Sequence, residues 1–133
     1  MKKLWKHIDG SLLKSLPNAA QGYEQKIRVP EFTFLGAAQQ PDFGVITIWF
    51  YGKDKTIELK SLKEYIYQYR DIIVSYERLM DVMYKQMMEV YEPERIRIEI
   101  EFMPRGGISS KMTADSDWGH LGGSDKVWQH HND

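Results

Sequence analysis

Between Ser61 and Phe102 the apolar residues change period once, and that switch constrains the fold more than any other feature of the chain. Leu62, Tyr65, Ile66, Tyr69, Ile73, Tyr76, Met80, Met83, Met87 and Val90 recur at intervals of three and four, which marks one side of a helix. Ser61 stands where a cap belongs, and Pro93 lies just beyond the end. The span is long for one helix. A break is expected near Ile72-Ile73-Val74-Ser75, because β-branched residues and serine are poor helix formers. Past Arg95 the period becomes two: Ile96, Ile98, Ile100 and Phe102 face one way, and Arg95, Arg97, Glu99 and Glu101 the other. That is a strand with one buried face and one wet or partner-facing side. Pro104-Arg105-Gly106-Gly107 makes a turn, and Ile108 to Ala114 returns as its antiparallel neighbour.

Upstream, residues 1–26 are mixed, with a short helical turn expected over Ser11–Leu16 and ended by Pro17-Asn18. Ile27, Val29, Phe32 and Phe34 read as a strand that Pro30 interrupts, hence an edge or a bulge. Val45-Ile46-Thr47-Ile48-Trp49-Phe50 is β-branched or aromatic at every position and implies a strand covered on both faces. The order is β-β-helical-β-β. It predicts an α+β domain, an antiparallel four-stranded sheet with helices on one face. So open a sheet leaves edges needing cover, and pairing with other subunits is expected. The chain divides into an N-terminal extension (1–26), the domain proper (27–115) and a C-terminal tail (116–133).

At 133 residues the chain has room for one domain and not two. With 18 basic and 19 acidic side chains, nothing steers it toward a nucleic-acid backbone or an acidic membrane, so no direct nucleic-acid binding is expected. No stretch approaches the length of a bilayer span, and a cytoplasmic protein is the expectation. The absence of cysteine excludes disulfides, thiolate metal sites and thiol catalysis together. His120, His130 and His131 with Asp125 and Asp133 lie in a tail with no preset geometry, so no metal is expected. Trp118 and Trp128 are candidates for docking on a neighbouring subunit.

Four words with their spacing then carry a resemblance: Glu31-Phe32-Thr33, Gln40-Pro41-Asp42-Phe43, Glu58-Leu59-Lys60-Ser61-Leu62-Lys63 and Pro104-Arg105-Gly106-Gly107-Ile108. Over roughly residues 28–112 the chain resembles the NADPH-dependent 7-cyano-7-deazaguanine (preQ0) reductases of queuosine biosynthesis. These have the tunnelling fold of GTP cyclohydrolase I. The resemblance implies a ββααββ domain assembling into a multi-subunit barrel, a homo-oligomer with its sites between subunits. In such enzymes a cysteine just before the Gln-Pro-Asp-Phe word attacks the nitrile carbon and forms a thioimide. The aspartate donates a proton, and two hydrides from NADPH deliver the amine. A histidine–glutamate pair closes over the deazaguanine.

Carried over, Asp42 matches the proton donor and Glu77 the base-binding glutamate, while Tyr76 stands where the histidine is expected. Glu58 goes with the substrate residues. Lys60, Ser61, Lys63, Arg105 and Gly106 go with the cofactor, NADPH. The cysteine loop reads Phe34-Leu35-Gly36-Ala37-Ala38-Gln39, one residue short, with Gly36 at or beside the nucleophile's place.

Each residue also has a plainer reading. Glu77 can be read as an ordinary exposed helix glutamate, Asp42 as a turn residue, and Lys60 and Lys63 as a solvated first turn. Arg105-Gly106-Gly107 suits any tight hairpin. The tyrosines and methionines of the helical stripe read as core or subunit contact. Three functions stay open. The first is a divergent reductase-like protein that binds a purine- or deazaguanine-type ring but cannot use the thioimide route. The second is an enzyme of different chemistry on a purine- or pterin-like ring. The third is a non-catalytic binding or assembly subunit.

Overall fold

A computed structural model describes residues 3–117, the side chains of Pro104 and Arg105 excepted. In chain order the elements are β1 (Lys3–Leu4), β2 (Ser15–Pro17), β3 (Gln25–Leu35), β4 (Pro41–Tyr51), β5 (Lys55–Ile57), α1 (Leu59–Tyr67), β6 (Ile72–Ile73), α2 (Tyr76–Tyr91), β7 (Arg95–Arg105) and β8 (Ile108–Asp115). The main sheet runs β1-β6-β3-β4-β7-β8, and β2 pairs with β5 in a separate ladder. The four long strands, β3, β4, β7 and β8, are antiparallel throughout. The two-residue strands β1 and β6 extend the sheet to six; a two-residue strand has no period to read. Pro30 sits where the register shifts between Val29 and Phe32, a bulge that spares the ladder its missing donor.

The helical stretch breaks where its β-branched run predicts. Gln68–Asp71 tightens into a 3-10 turn, Ile72–Ile73 is extended, and the Ser75 hydroxyl then caps α2 by accepting from Arg78 N–H at 3.2 Å. The start of α1 differs from expectation. Glu58, not Ser61, is its cap, accepting from Lys60 N–H at 3.1 Å and Ser61 N–H at 2.9 Å. A serine cap must stand outside the helix, and Ser61 is already in its first turn, where its buried hydroxyl accepts from Lys14 N–H at 2.9 Å. The N-terminal region differs too. Helical turns form at Trp5–His7 and Gly10–Leu12, and Ser15–Pro17 is extended because it pairs with Lys55–Ile57.

One sheet face and the two helices enclose the core. Phe32, Phe34, Ile46, Ile48, Phe50, Ile98, Ile100 and Phe102 meet Leu62, Tyr65, Tyr69, Leu79, Met83 and Met87, each side chain contributing about 1.5–3 kcal/mol by its burial. Ile8 and Leu13 belong to the same core. The Gln86 amide ties them in, donating to the Ile8 carbonyl at 3.0 Å while accepting from the Tyr65 hydroxyl at 2.6 Å.

The opposite sheet face, expected to be wet or partner-facing, is at Arg97 covered by the chain itself. Arg97 is fully buried. Its register partner Asp115 brings a carboxylate to 3.3 Å, Trp49 lies under the guanidinium, and Asp115 also pairs with Arg95 at 2.9 Å. A buried guanidinium is tolerated because charge and ring partners replace its water. Among the described residues no helix is long and apolar enough to cross a membrane.

Candidate functional site

Three segments converge at the end of the sheet where β3 meets β6. The loop from β3 to β4 supplies Gly36 to Gln40, the first residues of β4 supply Asp42, and the entry to α2 supplies Val74, Ser75 and Tyr76. Together they line a hollow of about 370 Å³. The loop is held shut by its own backbone: Gly36 N–H donates to the Gln40 carbonyl at 2.9 Å, and Gln39 N–H to the Gly36 carbonyl at 2.7 Å. Gln39 takes a positive φ of 64°, a conformation tolerated at a tight turn. On the other side Val74 N–H donates to the Leu35 carbonyl at 3.0 Å and clips the entry of α2 against the end of β3.

Asp42 is buried, 6% exposed, and its Oδ2 accepts from the Tyr76 hydroxyl at 3.0 Å. The Tyr76 ring lies flat on Phe102, centroids 3.8 Å apart and planes 5° from parallel, with Phe34 edge-on at 5.8 Å. Tyr76 is thus held by an apolar stack on its faces and a carboxylate at its tip. Position 36 faces Asp42. A β-carbon built on Gly36 would lie 3.2 Å from Asp42 Oδ2 and 3.8 Å from the Gln40 carbonyl oxygen. Glu77 follows Tyr76 on the first turn of α2 and is exposed. The strand β1 buttresses this turn: Leu4 pairs with Ile73, and the Trp5 ring lies 4.2 Å under the Arg78 guanidinium.

The other expected site residues lie apart from this hollow. Lys60 and Lys63 are exposed on α1 and line a second hollow with Glu64, Tyr67 and Gln68. Lys63 and Tyr67 also border an apolar groove of about 330 Å³ between α1 and the edge of β3, where Arg28 and Arg70 add charge. Glu58 is occupied as the helix cap, and the Ser61 and Lys60 amides that it accepts from hold its carboxyl below the usual carboxylate range. Ser61 faces the N-terminal segment rather than a cleft. Gly106 and Gly107 take φ of 62° and 84° at the β7–β8 turn, as a two-residue hairpin loop requires. The Arg105 side chain and the tail residues Trp118, His120, Asp125, Trp128, His130, His131 and Asp133 lie outside the described residues. Among the described residues no three His, Cys, Asp or Glu side chains gather as a metal cluster would.

Sequence reasoning did not mark Phe102 or Ser75 as neighbours of a site. The alternation of β7 identifies Phe102 only as core, and nothing in it tells which core ring will carry Tyr76.

Comparison with known proteins gives a consistent result. A family model described as QueF-like protein matches residues 41–119. The NADPH-dependent 7-cyano-7-deazaguanine reductase of Prochlorococcus marinus is 36% identical over 100 residues, covering 72% of this chain and 71% of that protein. Proteins of the same name from Gloeobacter violaceus and Helicobacter pylori are 34% and 35% identical, covering 80% and 77% of this chain and 80% and 72% of their own. Among solved structures, the archaeosine synthase QueF-Like in its apo form superimposes with a TM-score of 0.67 at 10% identity, over 73% of this chain and 96% of that one. At that identity the last match speaks for the fold alone.

Proposed function

The chain belongs to the QueF-like protein family, and from that premise we propose that it binds a purine- or 7-deazaguanine-type ring beside Asp42 and Tyr76 without the family's thioimide chemistry. The observation that carries this reading is the 3.2 Å between a β-carbon at Gly36 and Asp42 Oδ2. The positions matching nucleophile and proton donor face one another across one hollow, and the nucleophile's side chain is missing. Glu77, exposed on the next residue of the same turn, offers two acceptor oxygens to the N1–H and exocyclic amine of a guanine-like edge. Tyr76 replaces the histidine and closes the wall between ring and sheet.

Without a thiolate, attack on the nitrile carbon has neither its nucleophile nor a pre-positioned adduct. Asp42, bonded to Tyr76, orients or holds ligand groups. The relatives are named for NADPH, and Lys60 and Lys63 beside Tyr67 suit a phosphate-bearing cofactor, which would supply hydride. The reading includes the tunnelling fold built on the four long strands and a homo-oligomeric barrel in the cytoplasm with sites between subunits. Its support is the outer edge of β8, unpaired among the described residues, and that of β3, covered by β6 only at Leu35. An enzyme of different chemistry on the same ring is the second reading, favoured by the buried carboxylate of Asp42.

Titration calorimetry with 7-cyano-7-deazaguanine, 7-deazaguanine, guanine and a pterin tests the proposal. The wild-type chain is expected to bind a guanine-like ring, and Glu77→Ala to weaken it by roughly 30-fold or more. No heat with any of the four refutes ring binding. NADPH consumption with the nitrile refutes the loss of reductase chemistry.

A further inference from the structure

We infer that Trp5 is a positioning residue for the turn that carries Glu77, acting on it through Arg78, an inference that rests on the ring-binding reading above. Glu77 makes no hydrogen bond or ion pair of its own among the described residues, so the backbone of its turn fixes where its carboxylate starts from. That backbone is the first turn of α2, capped by Ser75 and followed by Tyr76, Glu77 and Arg78. Ser75, Glu77 and Arg78 are all exposed. An exposed first turn frays unless something outside the helix holds it.

The N-terminal segment holds this turn from both sides. Ahead of the cap, Lys3 and Leu4 pair in parallel with Ile72 and Ile73. Behind Glu77, the Arg78 guanidinium lies over the Trp5 ring at 4.2 Å. Val74 to Glu77 are thus bracketed by one short stretch of chain. That stretch is itself anchored. Leu4 N–H donates to His7 Nδ1 at 3.1 Å, the Gln86 amide donates to the Ile8 carbonyl at 3.0 Å, and Asp9 N–H donates to Gln68 Oε1 at 2.8 Å. Ile8 is buried in the core, whereas Trp5 is 39% exposed and stands outside it. A ring at the surface adds little to the core, so its contact with Arg78 acts on the turn rather than on the fold. A cation over an exposed ring shifts an equilibrium roughly two- to fivefold. Fixing a binding group before the ligand arrives turns that shift into affinity, because less has to be ordered on binding.

The experiment measures, by titration calorimetry on the full chain, the affinity for 7-deazaguanine and its 7-cyano derivative. Wild type is compared with Trp5→Ala, Trp5→Phe and Arg78→Met, each also combined with Glu77→Ala. Trp5→Ala and Arg78→Met are expected to weaken binding about three- to fivefold, and Trp5→Phe, which keeps an aromatic face, by less than about twofold. On the Glu77→Ala background the same changes should have no effect, because the residue they position is gone. Hydrogen exchange supplies a readout without ligand. In Trp5→Ala the amides of Val74 and Arg78 should exchange faster by a similar factor, while those of Ile46 and Ile98 in the core stay as in wild type. Wild-type affinity in Trp5→Ala, or an equal loss with and without Glu77, overturns the inference and leaves ring binding standing. Unchanged exchange at Val74 and Arg78 overturns it too. If wild type binds neither ring, the ring-binding reading falls and this inference falls with it.

Discussion

Replacing Tyr76 by Phe deletes one hydroxyl and leaves the ring stack intact, which isolates the hydrogen bond to Asp42. The bond is 3.0 Å long and its acceptor is 6% exposed, so water cannot restore it without opening the loop. A hydrogen bond to a charged group contributes about 1.5–3 kcal/mol. Tyr76 itself is only half-buried, which argues for the lower end: about 1.5 kcal/mol of unfolding free energy for Tyr76→Phe. Asp42→Ala removes the same bond from the other side and adds loss of packing. The measurement is a double-mutant cycle from urea unfolding of the wild type, both single variants and the double variant. The coupling energy should be about 1–2 kcal/mol, with the slope m unchanged, because the bond is counted twice in the singles and once in the double. Additivity within about 0.5 kcal/mol would show that the contact contributes nothing, and that Tyr76 does not hold Asp42 in place.

Asp115→Ala should cost about 3 kcal/mol, since it strips the carboxylate shared by Arg95 and the fully buried Arg97. Burial pushes the Asp115 carboxyl up, but the bonds from Arg95, Asp117 N–H and Arg97 outweigh it and leave it below its usual range. A carboxyl with a lowered folded value stabilises fully above its unfolded value near ~3.9, and that stability is lost as pH falls through the folded value. Thermal melts of wild type and Asp115→Asn should therefore differ most above pH 5 and converge in acid; a constant gap down to pH 2 would exclude this account. Gly36→Cys places a thiol facing Asp42. Incubated with 7-cyano-7-deazaguanine it should gain one ligand mass in intact mass spectrometry, whereas wild type and Gly36→Ser gain none. An unmodified Gly36→Cys protein would mean that position 36 does not face the bound ring.

The long elements were legible because each carries many repeats of its period. Ten stripe residues over 61–91 specify the helical layer, and four alternating positions specify β7. Ile72 to Ser75 announced the break by their poor helix propensity, and Pro30 announced the bulge. The cap of α1 was misjudged because Glu58 and Ser61 both have capping chemistry, and only the placement of Lys14 draws Ser61 inward. Arg97 was placed on the wet or partner-facing side, because alternation reports which face a side chain takes, not what covers that face. Its burial depends on Trp49 and Asp115, at distant points of the chain. At the candidate site, the resemblance singled out Asp42, Gly36 and Tyr76 one by one. The 3.0 Å bond joining Asp42 to Tyr76 was not legible, because a tyrosine in a histidine's place does not by itself say where its hydroxyl ends.

The serine of the Glu58–Lys63 word does not look outward. Its hydroxyl moors the backbone of Lys14, and Gln86 and Gln68 moor Ile8 and Asp9 along the same helices. Drift in that word is therefore not free to retune ligand preference alone. A change of Ser61 would unpick the leading segment of the polypeptide before it touched anything dissolved in water. The two lysines, facing outward, are left as the adjustable letters.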